Sequence, residues 1–261
     1  MTRTPFECTR DALTLRGFCF TDGSPGKKNP VIFCHGYMGS MMNQNTAYAE
    51  AFATLGYAAY IFDFAGGGFE SRSDGEIKDM TIATECEDLK AVIRYVQSQP
   101  DVCKEELTIV GNSFGGLVVG LVAAELQEEI KCLVMQYPGF LIPDICWGGH
   151  LMYFDFDPYD IKDTYTGEGH TFGGQFIREG QQLDSYAVIP QYRGRTLIVQ
   201  GTADPVVPAT DSIRAWRRFC SIRNEQETTR LVLIEGAGHG FEGSDFTRSV
   251  EEIHTFVQNG F

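Results

Sequence analysis

The sequence predicts an α/β fold, a mainly parallel sheet flanked by helices on both faces, and three observations carry that expectation. Short apolar runs recur at 31–34, 57–62, 107–110, 131–136, 196–200 and 230–234, bounded by turn residues, the pattern of strands covered on both faces. Segments of helical period separate them, so strand and helix alternate along the chain. The 261 residues are 43% hydrophobic and 21% charged, which suits one large domain with a sizeable core and is too apolar for extensive disorder.

Taken in order, residues 12–20 have strand character, the turn-rich segment 22–30 follows, and the strand 31–34 stops at His35-Gly36. A helix is expected over 45–56 with Gly56 as its stop, then a strand over 57–62 ending at Asp63, and then a turn at Gly66, Gly67 and Gly68. That glycine run meets neither phosphate-loop spacing. From Thr81, Ile82, Cys86, Leu89, Ile93 and Val96 share one helical face, and the helix ends before Pro100. The strand 107–110, a tight turn and the apolar helix 117–126 come next, followed by the strand 131–136. Helical patterns at 211–219 and 249–257 complete the alternation.

Residues 139–190 break the rhythm. They hold ten aromatic residues, eight acids and two bases with no long periodic element, and are too long for an ordinary connection. The expected organisation is therefore a core of 1–138 and 191–261 carrying a cap over 139–190, with Trp147, Tyr153, Phe154 and Phe156 as candidate substrate-binding rings. The alternative is that the rings only bury one another as a satellite core.

Lys and Arg total 21 against 35 Asp and Glu, a net charge of -14 that repels phosphate backbones and anionic lipids and argues against nucleic acid as a partner. The longest apolar stretches, 57–62 and 117–124, fall well short of the roughly 20 residues a membrane helix needs. The start, Met1-Thr2-Arg3-Thr4-Pro5, has no signal-peptide apolar core, so the expected location is the cytoplasm. Eight cysteines without a C-x-x-C pair read as reduced thiols, and only Cys146 in the cap is a candidate to lie near a pocket. The five histidines form no metal-binding pair, so neither metal nor cofactor is expected.

A serine hydroxyl becomes a nucleophile only with a base in reach, an acid to orient that base and donors for the oxyanion. Ser113 lies in Gly111-Asn112-Ser113-Phe114-Gly115, a G-x-S-x-G between a buried strand and a helix, the context in which that motif is meaningful. Asp204 follows the strand 196–200 and His239 the strand 230–234, so both belong to the edge of the sheet where distant loops meet, in the chain order Ser, Asp, His. His35-Gly36-Tyr37 follows another core strand at the same edge. The backbone N–H groups of Tyr37 and Phe114 are the expected oxyanion donors, and His35 is expected to organise its loop. Cys34 is not a partner for His35, because adjacent strand residues point to opposite faces.

From residue 31 to the C-terminus the chain resembles the α/β-hydrolase superfamily, and within it the feruloyl or cinnamoyl esterases. H-G-Y-M-G, G-N-S-F-G-G, G-T-A-D-P-V-V-P and G-A-G-H-G-F carry the likeness, and 139–190 corresponds to the small cap. The resemblance implies that Ser113, Asp204 and His239 form a catalytic triad. Asn112 and Phe114 stand where such esterases usually carry His and Gln, which implies a more apolar pocket floor. The expected function is a cofactor-free serine carboxylesterase acting on small-molecule esters with aromatic or medium-chain acyl groups. A peptidase or thioesterase of the same fold is the alternative, a binding module without turnover a third reading, and a homodimer is left open.

Overall fold

The apolar runs of the sequence become the inner strands of one eight-stranded sheet. The computed structural model describes residues 1–223 and 228–259. In chain order the first part comprises β1 (Thr2–Arg10), β2 (Leu13–Thr21), β3 (Pro30–Cys34), α1 (Gln44–Thr54), β4 (Ala58–Phe62), α2 (Ile82–Gln97), β5 (Thr108–Asn112), α3 (Phe114–Glu125) and β6 (Cys132–Gln136). The cap region follows with α4 (Ile142–Gly148), β7 (His150–Leu151), β8 (Phe154–Asp155), β9 (Thr164–Gly167), β10 (His170–Gly173), α5 (Gly174–Gln182) and α6 (Ser185–Val188). The chain then returns through β11 (Arg195–Gly201), α7 (Ala209–Arg223), β12 (Thr229–Ile234) and α8 (Gly243–Asn259).

The strands lie in the order β1-β2-β4-β3-β5-β6-β11-β12. β1, β2 and β4 are joined antiparallel, and every pairing from β4 through β12 is parallel. Alternate side chains of the parallel strands divide between two cores, as the pleat requires. Ile32, Tyr60, Ile109, Leu133 and Ile198 join the core that contains residues of α2 and α3, whereas Val31, Ala59, Val110, Val134 and Val199 join the one that contains residues of α1 and α8. All parallel strands run the same way, so the loops after β3, β5, β6, β11 and β12 gather at one edge, which is where the candidate residues lie.

One expectation changes. The N-terminal strand is the second arm of a hairpin whose first arm, β1, buries only Phe6; a polar edge strand lacks the apolar signal of a covered one. Its Pro5 is tolerated because edge strands need not donate at every residue. Residues 139–190, expected to hold no long periodic element, contain two short hairpins and three helices of four to nine residues. Their rings stack on one another: Phe154 on Tyr165 at 4.9 Å, and Phe172 against Phe154 at 5.1 Å and against Tyr153 at 5.6 Å. Among the described residues no helix is long and apolar enough to cross a membrane.

On α2, capped reciprocally by Thr81 and Thr84, Glu85 is buried with no hydrogen-bond partner at either carboxyl oxygen. Burial, with the Asp88 carboxylate as a lesser contributor, holds its carboxyl well above the ordinary 4.5. A raised folded value means stability that is complete below the unfolded value and lost as pH climbs toward the folded one. Glu85→Gln keeps the shape without the ionisation. It is expected to be increasingly more stable than wild type as pH rises above about 5, by up to about 1.4 kcal/mol per pH unit until the folded group ionises. Denaturant melts of both proteins across that range check it, and a pH-independent difference contradicts it.

Candidate active site

Ser113 sits between β5 and α3 with φ 54° and ψ -118°, a conformation that L residues rarely adopt. The turn is held from three sides. Ser113 N–H donates to Gln136 O at 2.9 Å, and its own carbonyl accepts from Gly116 N–H at 2.9 Å and Gly139 N–H at 2.8 Å. Closeness at this turn excludes side chains at both flanking glycines: a Cβ on Gly111 would collide with the Gly115 carbonyl, and one on Gly115 with the His35 carbonyl.

The sheet edge brings the three candidate residues together. Ser113 Oγ lies 3.1 Å from His239 Nε2, and His239 Nδ1 lies 2.9 Å from Asp204 Oδ2. Asp204 is held in place by Val206 N–H at 2.8 Å and Val207 N–H at 2.9 Å on Oδ1, and by Gln200 Nε2 at 3.2 Å on Oδ2. Its side chain has no solvent exposure, while that of His239 retains 24%. Asp204 therefore faces the imidazole from a fixed, dry position, and the imidazole reaches both Ser113 and solvent.

Phe114 opens α3, so its N–H has no partner within the helix. The Tyr37 ring packs edge-on against the Phe114 ring at 5.9 Å, joining the two candidate oxyanion donors. The loop carrying Tyr37 is braced from behind. His35 donates from Nδ1 to Gly36 O at 2.9 Å and accepts Phe64 N–H at Nε2 at 3.3 Å, and burial lowers its pKa, so the ring is a neutral brace. Asp63 accepts Met41 N–H at 2.7 Å and Arg72 N–H at 3.0 Å, and Met38 bridges to Gly68, so the glycine run supports this loop. Cys34 lies buried with its thiol pKa pushed well up, which leaves it no nucleophilic role.

A cavity of about 280 Å³ opens at Ser113. Gly36, Tyr37 and His239 border it, as do Gln44, Asn45, Asn112 and Tyr137, with Met152 and Val206 at its apolar part. Asn112 is tied to its neighbours: its Oδ1 accepts Gln136 Nε2 at 2.9 Å, and its Nδ2 donates to Asn45 Oδ1 at 3.0 Å. The carboxamides at 44, 45, 112 and 136 interlock and so spend their polar atoms on one another beside Ser113. Phe114 is buried, its ring turned to Tyr37 and Phe176.

The four cap aromatics stand outside that cavity wall. Phe154 and Phe156 are buried in the cap's own aromatic cluster, and Tyr153 stacks on Tyr37 at 6.4 Å. Trp147 is 50% exposed and donates from its ring N–H to Gln181 O at 3.3 Å. Cys146 is buried, its pKa pushed up to about 12 by desolvation, and also stands apart from the wall. Gln44, Asn45 and Tyr137 were not singled out by the sequence. Tyr137 immediately follows β6 at the loop edge, and the run Asn43-Gln44-Asn45 closely follows the Tyr37 loop, so position at that edge was the available signal. Among the described residues no three His, Cys, Asp or Glu side chains gather as a metal-binding group.

Residues 43–261 match the prolyl oligopeptidase family, well over half of the chain. The chain belongs to that family. Within the fold it is similar to Est1E from Butyrivibrio proteoclasticus, solved with ferulic acid bound, at TM-score 0.85 and 26% identity over 96% of this chain and 97% of that one. It is an α/β hydrolase that resembles feruloyl esterases. An uncharacterised 31.7 kDa Escherichia coli protein from the traX-finO intergenic region is 34% identical over 110 residues, 42% of this chain and 37% of that protein. The quorum-quenching protein AidA of Acinetobacter baumannii is 32% identical over 108 residues, 41% of this chain and 34% of that one. These matches thus span only about a third of the two curated relatives.

The buried amide at Gln136 joins this site to the core, accepting Tyr48 O–H at 2.8 Å and donating to Asn112. Gln136→Leu removes a partner from each neighbour and is expected to lower stability by about 1–3 kcal/mol. A denaturant midpoint equal to or above that of wild type, with unchanged slope, contradicts this.

Proposed function

We propose that the protein is a serine carboxylesterase with Ser113 as nucleophile, His239 as general base and acid, and Asp204 as the residue that orients the imidazole. The observation that carries this reading is the hydrogen-bonded chain Ser113–His239–Asp204, anchored on a left-handed serine turn. Ser113 Oγ attacks the ester carbonyl carbon while its proton passes to His239 Nε2. Charge then develops on the carbonyl oxygen, which the Tyr37 and Phe114 N–H groups stabilise together with the positive end of α3. Collapse breaks the carbon–oxygen bond to the alcohol, and His239 returns the proton to the departing oxygen. Water, deprotonated by the same imidazole, cleaves the acyl-enzyme and restores Ser113.

Aromatic or medium-chain acyl groups are the proposed substrates, supported by the likeness to Est1E and by Met152 and Val206 in the cavity wall. A peptidase is the second reading, favoured by the family to which the chain belongs. The acyl-enzyme chemistry serves both, and the departing group distinguishes them. Cytoplasmic residence is part of the proposal, supported by the free thiols of Cys8, Cys19, Cys34, Cys86, Cys103, Cys132 and Cys146.

The test is a matched series of ester, thioester and anilide with one acyl group. The esterase reading expects the highest kcat/KM for the ester; a preference for the anilide selects the peptidase. Ser113→Ala is expected to abolish turnover while the protein stays folded, and Asp204→Asn to lower kcat by on the order of 10⁴ by misorienting the imidazole. Turnover near the wild-type level in purified Ser113→Ala contradicts the mechanism.

A further inference from the structure

Among the described residues, Met152 alone of 139–190 lines the cavity at Ser113. It stands in the tight turn between β7 and β8 with φ 38°, in the left-handed region that side-chain-bearing residues rarely take, and Tyr153 N–H donates back to Leu151 O around it. Both of its neighbours are anchored. Leu151 is buried, and the Tyr153 ring is stacked on Phe172 at 5.6 Å and on Tyr37 at 6.4 Å. Met152 itself is 56% exposed, so the turn holds one large apolar side chain at the cavity with much of its surface in water. A strained backbone conformation kept at such a place points to a use for the side chain it presents.

Val206 is its counterpart in the Asp204 loop. Fixed by its N–H to Asp204 Oδ1 at 2.8 Å, it lines the same cavity and is 48% exposed. The amides of Gln44, Asn45 and Asn112 are engaged with one another and with Tyr137. Exposed apolar surface in the cavity lining thus belongs to Met152 and Val206, and their exposure places it at the mouth. An alkyl chain that covers it releases water from both partners, and the gain grows with each methylene covered. An unbranched thioether adapts to such a chain better than a stiff β-branched residue does.

We propose that Met152 is a specificity-determining residue, selecting esters in which a linear alkyl chain runs from the ester group to the cavity mouth and covers the thioether. This rests on the esterase reading above. Either half of an ester can supply the chain, and two arms of one experiment distinguish them. Ethyl acetate is the common reference; ethyl hexanoate lengthens the acyl half and hexyl acetate the alcohol half by the same number of methylenes.

Wild type is expected to favour at least one long ester over ethyl acetate in kcat/KM by about five- to twentyfold, since a fully covered methylene contributes up to about fourfold and an open mouth covers the chain in part. The arm that responds assigns the chain to the acyl or the alcohol half. Met152→Gly deletes the side chain in a backbone conformation that glycine adopts freely, and Met152→Gln keeps its length while replacing the thioether by an amide. Each is expected to lower that ratio at least about threefold, Val206 retaining the remainder. The ratio is taken within one protein, so a general loss of active enzyme cancels from it. A wild-type ratio near one in both arms, or a wild-type ratio kept in either folded variant, overturns this inference and leaves the esterase reading intact. Failure of both variants to fold makes Met152 a structural residue and overturns it as well. Hydrolysis of none of these esters, nor of any ester in the matched series, overturns both readings.

Discussion

The close approach of β5 to the start of α3 is the constraint on which the candidate site depends. With Gly111 and Gly115 bare, the two backbones come near enough that Ser113 must take a left-handed conformation and project its hydroxyl above the sheet. Gln136 O, Gly116 N–H and Gly139 N–H fix that geometry from β6, from α3 and from the entry to the cap. The same turn leaves Phe114 N–H at the helix start and lets its ring meet Tyr37. Ser113, the Phe114 N–H and the entry to residues 139–190 are thus positioned by one packing event, and the parallel sheet brings the Asp204 and His239 loops to it.

Polar groups around the site divide into two kinds. Those behind the Tyr37 loop, His35 and Asp63, are paired with backbone groups and have structural work to do. Those beside His239 form a connected series of amides running from Tyr48 in the core to the cavity. Such a series is rigid because each member is fixed by the next. Residues 139–190 solve a separate problem, burying their rings against one another and reaching the Tyr37 loop through Tyr153.

The sheet was legible because covered strands are continuously apolar: Val31 to Cys34 and Thr108 to Val110 announce themselves in the sequence. The Ser113 turn was legible because glycines on either side of it have a steric cause that leaves few alternatives. Asp204 and His239 followed from their places after β11 and β12. What the sequence hid has physical reasons too. β1 is polar because it lies at the edge, and the cap helices are too short to show a period. The amide series depends on contacts among residues 44, 45, 112 and 136, which come from distant parts of the chain, so Asn112 read alone does not reveal it.

The central claim is that Ser113 is an activated nucleophile, and covalent trapping tests it most directly. The protein is treated with a fluorophosphonate, digested, and the modified residue located by mass spectrometry. A single phosphonyl group on Ser113, formed at a rate that drops sharply when His239 is replaced by alanine, is the result the account predicts. Absence of any adduct, or modification of another serine while Ser113 stays free, would contradict it.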